Sequence, residues 1–388
     1  MNQVRILHII NIGGFGGAEK LLTQLLPALA DFVETECLLC FRQENSTVAE
    51  QIGKDLTERD IRVHLIPYKK AFGIKHLRNV QRFVKSGNYS IVHSHLQYAN
   101  LWMAILRKTR QLKITVLTTL HGYRDSYQNT YGLLVNKHIF RTSYYWITRF
   151  ILRNLDGYIF ISNCLGSFFI KARLVKKGVG RVIHHGYSVS NTTNDELTKT
   201  TKVITAPRIV LPGRIIKLKG HIYALGVLDI VRQKYPEATL HFFGDGPFKQ
   251  QVLQEVSSLQ LTSSVFFHGY VHELLDELRE YDIAVVPSFY ESFGMVFLDC
   301  FAARVPVVAF DLPAGNEIIE DGCTGLLAKP FDTEDLAQKV MQLCEDAQLQ
   351  DKLIKNGWEA LHDHFSMNRM AADYAEYYQN MSQPMIVV

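Results

Sequence analysis

The sequence predicts an α/β protein with two domains, each built on a parallel sheet, and three observations support this. Apolar strand-like runs alternate with helical runs, as in chains of βαβ units. The alternation stops at a polar stretch rich in Thr and Asn, residues 191–207, and then starts again. A chain of 388 residues is also long enough for two or three domains that each bury a full core.

Each half of the chain contains the elements of one such domain. In the first half, apolar runs predict strands at residues 4–10, 34–41, 61–66, 90–96, 113–120, 156–161 and 181–185. Helical patterns between them predict helices at 18–30, 46–58, 74–86 and 163–173. The second half has strands at 208–211, 239–243, 265–268 and 283–286, and helices that begin near 221, 295 and 333. We therefore predict a first domain at 1–190, a linker at 191–207, a second domain at 208–365 and a C-terminal helix at 366–388.

The stretch from Pro287 to Pro306 carries the strongest functional signal. It follows a buried strand, and open α/β sheets bind ligands at the carboxyl ends of their strands. Glu291 precedes a helix and Asp299 comes eight residues later, so both carboxylates can face one side and accept hydrogen bonds from hydroxyl groups. The backbone N–H groups that open this helix favour an anion such as phosphate; they belong to Phe293, Gly294 and Met295.

Two turns in the second half carry groups suited to the same kind of ligand. Arg214 and Lys219 lie five residues apart across a strand-to-helix turn, where a guanidinium and an ammonium can together hold a diphosphate. An exposed basic turn with no ligand is the alternative. Gly244 follows the next strand, at another turn where a ligand can approach the backbone closely.

The first half has two candidate segments at strand ends. The loop from Asn11 to Gly17 is rich in glycine, but Glu19 takes the place of the third glycine of a dinucleotide-binding fingerprint. Close approach of another ligand to Gly16 and Gly17, or a purely structural turn, remain the two interpretations. His121 follows a strand directly, and this position favours a functional role over a structural one.

These segments resemble the retaining glycosyltransferases of family 4, which have the GT-B fold. The segment PSFYESFGMVFLDCFAARVPVVA is similar to that family's signature of two acidic residues separated by seven positions, and GGAE at 16–19 resembles its glycine loop. The chain departs from the family at Asp299, where Glu is usual, and at Arg304, where Gly is usual. His185 stands where the family has Asn before a glycine. The resemblance is strongest from residue 211 to residue 328.

The resemblance implies two Rossmann-like domains that face each other across a cleft, with a C-terminal helix that crosses back onto the first. It implies catalytic roles for His121, Glu291, Arg214 and Lys219. It implies donor binding by Gly16, Gly17, Gly244, Val271, Phe293, Gly294, Met295 and Asp299. Tyr123 and Arg124 would lie on the acceptor side.

The implied reaction is the transfer of a sugar from a nucleotide sugar with retention of the anomeric configuration. We expect a UDP-sugar in preference to a GDP-sugar, no other cofactor, and a lipid-linked or oligosaccharide acceptor in the synthesis of a bacterial capsule, O-antigen or lipopolysaccharide. The chain contains no Asp-x-Asp triplet, so we predict that cationic side chains replace a metal. Two alternatives stay open: a non-catalytic binder of nucleotide sugars, suggested by Asp299 and Arg304, and a GT-B epimerase or phosphorylase.

The charges are divided unevenly along the chain. Residues 1–190 hold 26 basic and 11 acidic side chains, and residues 101–181 hold 14 and 2. Aromatic residues are interleaved there: Tyr144, Tyr145, Trp146 and Phe150. This mixture predicts a surface that docks on anionic lipid, with a solvated basic face as the alternative and no nucleic-acid partner. We see no secretory signal or membrane-spanning run, so we predict a cytoplasmic protein peripheral to the inner face of the membrane.

The cysteine and histidine patterns predict no metal site. Cys37 and Cys40 have the spacing of a zinc or redox motif, but they lie in a strand-like run and no second pair completes the site. We therefore predict reduced, buried thiols. The pairs His184–His185 and His362–His364 give no stronger signal.

Overall fold

The computed structural model describes residues 4–14, 16–70, 73–123, 137–188, 203–313 and 315–382. These residues form two compact units. The first unit comprises the described residues up to 188 together with a C-terminal helix, and the second comprises the described residues from 203 to 366. Residues 191–202, most of the predicted linker, lie outside the described residues.

The first unit contains a parallel sheet with helices between its strands. Its strands are β1 (Arg5–Ile12), β2 (Glu34–Phe41), β3 (Arg62–Pro67), β4 (Ile91–His95), β5 (Thr115–Leu120), β6 (Gly157–Phe160) and β7 (Gly180–Val182). Its helices are α1 (Gly17–Ala30), α2 (Ser46–Thr57), α3 (Ile74–Ser86), α4 (Leu96–Lys108), α5 (Ser143–Arg153) and α6 (Asn163–Lys171). The strand order is β3-β2-β1-β4-β5-β6-β7, so the order reverses between β1 and β4. Ligands bind at such a reversal in doubly wound folds.

The second unit repeats this design. Its strands are β8 (Arg208–Pro212), β9 (Thr239–Phe243), β10 (Val265–Gly269), β11 (Ile283–Val286), β12 (Val307–Phe310) and β13 (Leu326–Ala328). Its helices are α7 (His221–Lys234), α8 (Lys249–Ser258), α9 (Leu274–Leu278), α10 (Met295–Ala302), α11 (Thr333–Glu345) and α12 (Ala347–Asp363). The order is β10-β9-β8-β11-β12-β13, and the reversal falls between β8 and β11.

The last helix, α13 (Met367–Ser382), belongs to the core of the first unit. Met370, Tyr374 and Tyr378 are fully buried there against Ile6 of β1 and Ile91 of β4. Tyrosines need hydrogen-bond partners when they are buried, and these find them on the sheet. The helix therefore contributes polar as well as apolar contacts to that core.

The two parallel sheets and their strand–helix alternation confirm the predicted class. Strands β2, β9 and β11 and helix α3 have the predicted bounds. The predicted strand at 181–185 is wrong in extent: β7 ends at Val182, and His185 lies beyond it. The reason is that β7 pairs only with β6, whose last residue, Phe160, pairs with Val182.

Candidate active site

The carboxyl edge of the second sheet brings two predicted residues together that are 72 positions apart in sequence. Lys219 ends a short 3-10 turn after β8, and Glu291 lies in the loop after the neighbouring strand β11. The Lys219 ammonium contacts the Glu291 carboxylate, and the two side chains are only 21% and 12% exposed. One cation and one acceptor for hydroxyl groups thus share the point where the strand order reverses.

A close backbone approach holds these two groups in place. Gly220, next to Lys219, has a φ of 72°, and a Cβ atom there would lie 2.0 Å from the carbonyl oxygen of Pro287. Only glycine adopts this conformation without strain and allows the approach. The turn that carries Lys219 is therefore packed directly on the loop that leads to Glu291.

Helix α10 begins four residues after Glu291. Its N-cap is Gly294, with a φ of 107° that glycine adopts at little cost. Phe293 is buried beside it, Met295 is partly exposed, and Asp299 lies one turn into the helix and is half-buried. The first N–H groups of a helix have no partner within it, and together with the macrodipole they favour an anion. The edge can therefore attract phosphate at α10 and at Lys219.

The turns after β8, β9 and β10 are stacked at the same edge. A Cβ atom on Gly244 would lie 2.2 Å from the carbonyl oxygen of Gly213, and the N–H of Gly244 donates to the carbonyl of Gly269 at 2.7 Å. Arg214, which follows Gly213, is exposed, and Val271 is half-buried two residues after Gly269. Arg214, predicted to hold a diphosphate, and Val271, predicted to bind the donor, thus flank the Gly244 turn.

Arg304 stands where the resembling family usually has Gly, and its contacts explain how an arginine fits this position. Its φ is 58°, in the left-handed region where glycine is the usual residue. Its guanidinium lies 4.4 Å from the ring centroid of Trp358 on α12. This cation–π contact offsets part of the strain of a non-glycine residue there.

Three of the described glycines in the loop of the first unit have open space beside them. Gly16 is the N-cap of α1, and its N–H donates to the carboxylate of Glu19 at 3.1 Å, so Glu19 caps the helix. A Cβ atom added at Gly13, Gly14 or Gly17 would meet no protein atom within 4 Å, and none of the three has a φ in the left-handed region. These three positions therefore leave room for another group beside the backbone.

Three buried histidines lie below this loop, on the same face of β1 and β4. His8 is paired in register with His93, and His95 lies two residues further along β4. The His8 Nδ1 and His95 Nε2 atoms are 3.0 Å apart, and His93 Nδ1 is 2.5 Å from the hydroxyl of Tyr378 on α13. This hydrogen bond ties the imidazole of His93 to α13.

The predicted residue His121 lies at the open end of this cluster. Its ring centroid is 6.4 Å from that of His95 and 5.8 Å from that of His185, with which it is stacked. His121 is partly exposed, but its Nε2 is buried and has no hydrogen-bond partner within the described part of the chain. The same is true of Nδ1 of His95, which is 1% exposed.

These imidazoles are neutral near pH 7. Burial lowers the pKa of His8 and of His185 to about 3 and that of His121 to about 4. Burial also holds the pKa values of His93 and His95 well below the usual range. The first edge can thus exchange hydrogen bonds with hydroxyl groups but offers them no cationic imidazole.

His8, His93 and His95 are also the one group within the described residues whose ligand atoms lie close enough to hold a metal ion, all within 4.8 Å of one another. The donor set fits a transition metal poorly. Both ring nitrogens of His93 already have hydroxyl partners, Tyr378 on Nδ1 and Thr119 on Nε2 at 2.9 Å. We interpret the cluster as a hydrogen-bonded network.

One predicted position needs correction. Tyr145, expected at the lipid surface, is 2% exposed and donates its hydroxyl to the carbonyl of Ala172. Tyr123 is 1% exposed, with its ring against Phe168 and Phe169, and its role on the acceptor side stays a prediction. Arg124 lies outside the described residues.

The cysteine motif is buried in β2. Cys37 and Cys40 are inaccessible to solvent, and burial raises the pKa of the Cys37 thiol to about 12. All six cysteines are free. Buried thiols with raised pKa values are unreactive.

The histidine network could not be predicted from local sequence patterns. Its signal was present as His93-x-His95 and His8 on apolar strands, because alternate residues of a strand share a face. The local sequence does not show that β1 and β4 are neighbours in the sheet; this follows only from the strand order.

No helix among the described residues combines the length and the apolar character needed to cross a membrane.

Two family models match the chain. That of glycosyltransferase family 4 matches residues 15–191, and that of glycosyl transferases group 1 matches residues 193–360. The chain is 30% identical over 152 residues to alpha-D-kanosaminyltransferase of Streptomyces kanamyceticus, which is 39% of each chain. It is 25% identical over 336 residues to the uncharacterized glycosyltransferase MJ1178 of Methanocaldococcus jannaschii, 84% of this chain and 86% of that one. Three curated relatives are matched over only 39%, 18% and 23% of their own length.

Solved structures share the architecture. Alr3699/HepE of Anabaena, solved with UDP and glucose, has a TM-score of 0.75 at 18% identity and covers 97% of this chain and 100% of its own. TarM has a TM-score of 0.74 at 12% identity, covering 97% and 99%. This likeness confirms the predicted GT-B fold.

Proposed function

Because the chain belongs to the family 4 glycosyltransferases of the GT-B fold, we propose that it transfers a sugar from a nucleotide sugar to an acceptor with retention of configuration. The observation that carries the proposal is the contact between Lys219 and Glu291 beside the start of α10. It unites a cation for phosphate, an acceptor for sugar hydroxyls and a helix N-terminus at one point where the strand order reverses. Ligand sites of doubly wound sheets lie at such points.

In the proposed reaction, the second unit activates the leaving group. Arg214, Lys219 and the first N–H groups of α10, near Phe293, Gly294 and Met295, stabilise the departing diphosphate. Glu291 accepts hydrogen bonds from the sugar, and Asp299 accepts them from the ribose. Preorganised donors of this kind each contribute about 3–4 kcal/mol to transition-state stabilisation in other enzymes.

The chemical step follows from these roles. The bond between the anomeric carbon and the diphosphate oxygen breaks, and the acceptor oxygen bonds to the same face of the sugar. The acceptor proton passes to the leaving phosphate, so no protein nucleophile is needed. Two cationic side chains take the place of a metal, and we therefore expect transfer to continue in EDTA.

The remaining assignments place small and neutral groups against the donor. Gly16 and Gly17 would allow it to approach the first unit, which the open space around Gly17 supports. His121 would contact the transferred sugar as a neutral imidazole. Gly244 and Val271 would lie along the nucleotide, with Val271 beside the base.

A UDP-sugar is the first candidate for the donor. The similar Anabaena protein was solved with UDP and glucose, which supports a uridine nucleotide here. The acceptor we propose is a lipid-linked glycan in the synthesis of a bacterial surface polysaccharide. The basic first unit would dock on the anionic inner face of the cytoplasmic membrane, where each nearby basic residue adds about 1 kcal/mol.

The test is a screen of nucleotide sugars by thermal shift and by hydrolysis, with and without EDTA. A true donor raises the melting temperature by mass action, and it is hydrolysed slowly when no acceptor is present. Stabilisation without hydrolysis or transfer would favour the non-catalytic binder. Loss of activity in EDTA with recovery in magnesium would overturn the metal-independent mechanism, and no stabilisation by any nucleotide sugar would overturn the proposal itself.

A further inference from the structure

Helix α5 presents an apolar face to solvent. Trp146, Ile147 and Phe150 are 58%, 45% and 41% exposed, and they lie within five residues of one another. At 100° per residue, positions i, i+1 and i+4 share one side of a helix. The opposite side is packed through Tyr145, Ile151 and Leu152. Helix α5 therefore has two apolar sides, one packed in the core of the first unit and one exposed to solvent.

This face forms one wall of a groove of about 540 Å³. The other wall is the start of α4, and the lining residues are Gln97, Tyr98, Leu101, Trp146, Ile147 and Phe150. Five of the six are apolar or aromatic. A concave apolar site of this size is large enough for a small ligand or for a segment of a longer chain.

The helices around the groove carry charge of a single sign. Helices α4, α5 and α6 contain Arg107, Lys108, Arg149, Arg153 and Lys171 and no acidic residue, although Arg107 is paired with Asp156. An apolar groove between basic helices complements an amphiphile that has a hydrocarbon chain and an anionic head. A neutral peptide would match only the apolar lining of the groove.

The groove lies beside the candidate site of the first unit. Helix α4 begins at Leu96, directly after His95 at the carboxyl edge of the sheet, and Gln97 and Tyr98 are in its first turn. His95 is paired with Thr119, two residues before His121. An occupant of the groove can therefore place its head group at the edge where His121 lies.

We propose that the groove between α4 and α5 holds the proximal hydrocarbon chain of an anionic, lipid-linked acceptor. This rests on the proposed transferase function and narrows it, because it names the part of the acceptor that the protein binds apart from its sugars. The cations of the neighbouring helices attract the phosphate of the acceptor and the surface of the membrane. The chain fills the groove, and the glycan is left at the sheet edge.

The test uses the full-length protein and a chain-brominated dodecyl phosphate below its micelle concentration. Bromine quenches a tryptophan that it touches, and the chain has three tryptophans, of which Trp102 is buried and Trp358 lies under Arg304. We expect saturable quenching that disappears in Trp146→Phe. Inorganic phosphate at the same concentration should not change the fluorescence.

Affinity variants separate the groove from exposed apolar surface in general. The double variant Ile147→Ala with Phe150→Ala should bind the probe about 10-fold or more weakly, because two side chains lose the area they would bury against the chain. Phe32→Ala, which removes a side chain of the same unit that is 45% exposed, is the matched control and should leave binding unchanged. Equal effects of both changes, or no saturable quenching, would overturn the proposal.

Two further measurements distinguish the sources of failure. Hydrolysis of the nucleotide-sugar donor should be unaltered in the double variant, whereas transfer to a long-chain acceptor should fall and transfer to a water-soluble acceptor should not. Loss of transfer to both acceptors would contradict the groove assignment. If the wild type binds the brominated chain but no nucleotide sugar, the transferase proposal fails, and with it the identification of the chain as an acceptor. Binding to anionic vesicles without binding to the monomeric probe would show membrane docking alone.

Discussion

The two sheets have carboxyl edges with the same topology but opposite chemistry. In the second unit the edge carries Lys219, Glu291 and Arg214 on turns locked by close backbone contacts such as that of Gly220. In the first unit it carries neutral imidazoles, and Gly13, Gly14 and Gly17 have open space beside them. A shared architecture thus supports one tightly packed edge with an ion pair and one edge of neutral imidazoles with room for a ligand. The difference suits a charged donor on one side and hydroxyl-bearing groups on the other.

The largest expected effect is a loss of folding stability in acid, caused by the buried histidines of the first unit. The pKa values of His8 and His185 are about 3 in the folded protein, against about 6.5 in an unfolded chain. Between these values only the unfolded state is protonated, so stability falls as the pH drops below about 6.5. For these two residues the loss is about 4 kcal/mol between pH 7 and pH 5.

Urea unfolding at a series of pH values measures this loss. Replacing His8 by Gln, which cannot take up a proton, should flatten the dependence between pH 6.5 and pH 4. His364→Gln, in the second unit, controls for the loss of a histidine in general. An unchanged slope in His8→Gln would contradict the assignment of acid sensitivity to the buried network.

The next largest effect should come from Gly220→Ala. The new Cβ atom would lie 2.0 Å from the carbonyl oxygen of Pro287 at a φ of 72°, so the backbone must move. We expect a loss of about 3 kcal/mol or more, the sum of left-handed strain and displacement of a packed loop. Thermal unfolding measures it.

Gly17→Ala is the matched variant on the other edge, since its Cβ atom would meet nothing within 4 Å. Its stability should change by less than about 1 kcal/mol, with a slight gain because alanine favours the helix. Equal destabilisation by the two substitutions would contradict the claim that the backbone is tightly packed at Gly220 and not at Gly17.

Glu291→Gln tests the charge of the second edge. It keeps the shape of the side chain but loses the charged acceptors and the partner of Lys219, so transfer should fall by roughly 100-fold or more. Initial rates with a fixed acceptor measure the effect. Glu345→Gln removes another carboxylate paired with a lysine, Lys234, at an exposed place, and it should leave the rate unaltered. Near-normal transfer by Glu291→Gln would sink the assignment.

Tyr378→Phe tests how α13 supports the uncharged edge. The substitution removes the hydroxyl that lies 2.5 Å from His93 Nδ1 and leaves that buried nitrogen without its partner. We expect a loss of about 1–3 kcal/mol, the usual cost of an unsatisfied buried polar group. Chemical denaturation measures it, and Tyr377→Phe, whose hydroxyl donates to the carbonyl of Val179 at 2.9 Å, shows the cost of losing a different hydroxyl of the same helix. A neutral Tyr378→Phe would show that the network does not depend on this contact.

The functional residues at the carboxyl edge of the second sheet could be predicted from the sequence, whereas the histidine network of the first could not. The charged edge was accessible because Glu291, Asp299, Arg214 and Lys219 stand in local patterns at strand ends, and each pattern lies within a short stretch. The histidine network was not, since His8 and His93 become neighbours only when the strand order is known. The burial of Tyr123 could not be predicted for a related reason: an aromatic residue after a strand can point outward or into the core, and its ring contacts, Phe168 and Phe169, are remote in sequence.

Arg304→Gly should have the smallest effect, because two terms of opposite sign nearly cancel. At a φ of 58° arginine carries left-handed strain of about 1 kcal/mol, which glycine would relieve. Glycine would also lose the guanidinium contact with Trp358, worth about 0.5–1 kcal/mol at a partly exposed site, and would give the unfolded chain more freedom. We therefore expect a change within about 1 kcal/mol by thermal unfolding and unaltered donor binding by calorimetry. Arg304→Ala keeps the strain and loses the contact, so it should be less stable than Arg304→Gly. If Arg304→Gly instead tightened donor binding several-fold, the arginine would impair the donor site, and the non-catalytic alternative would gain support.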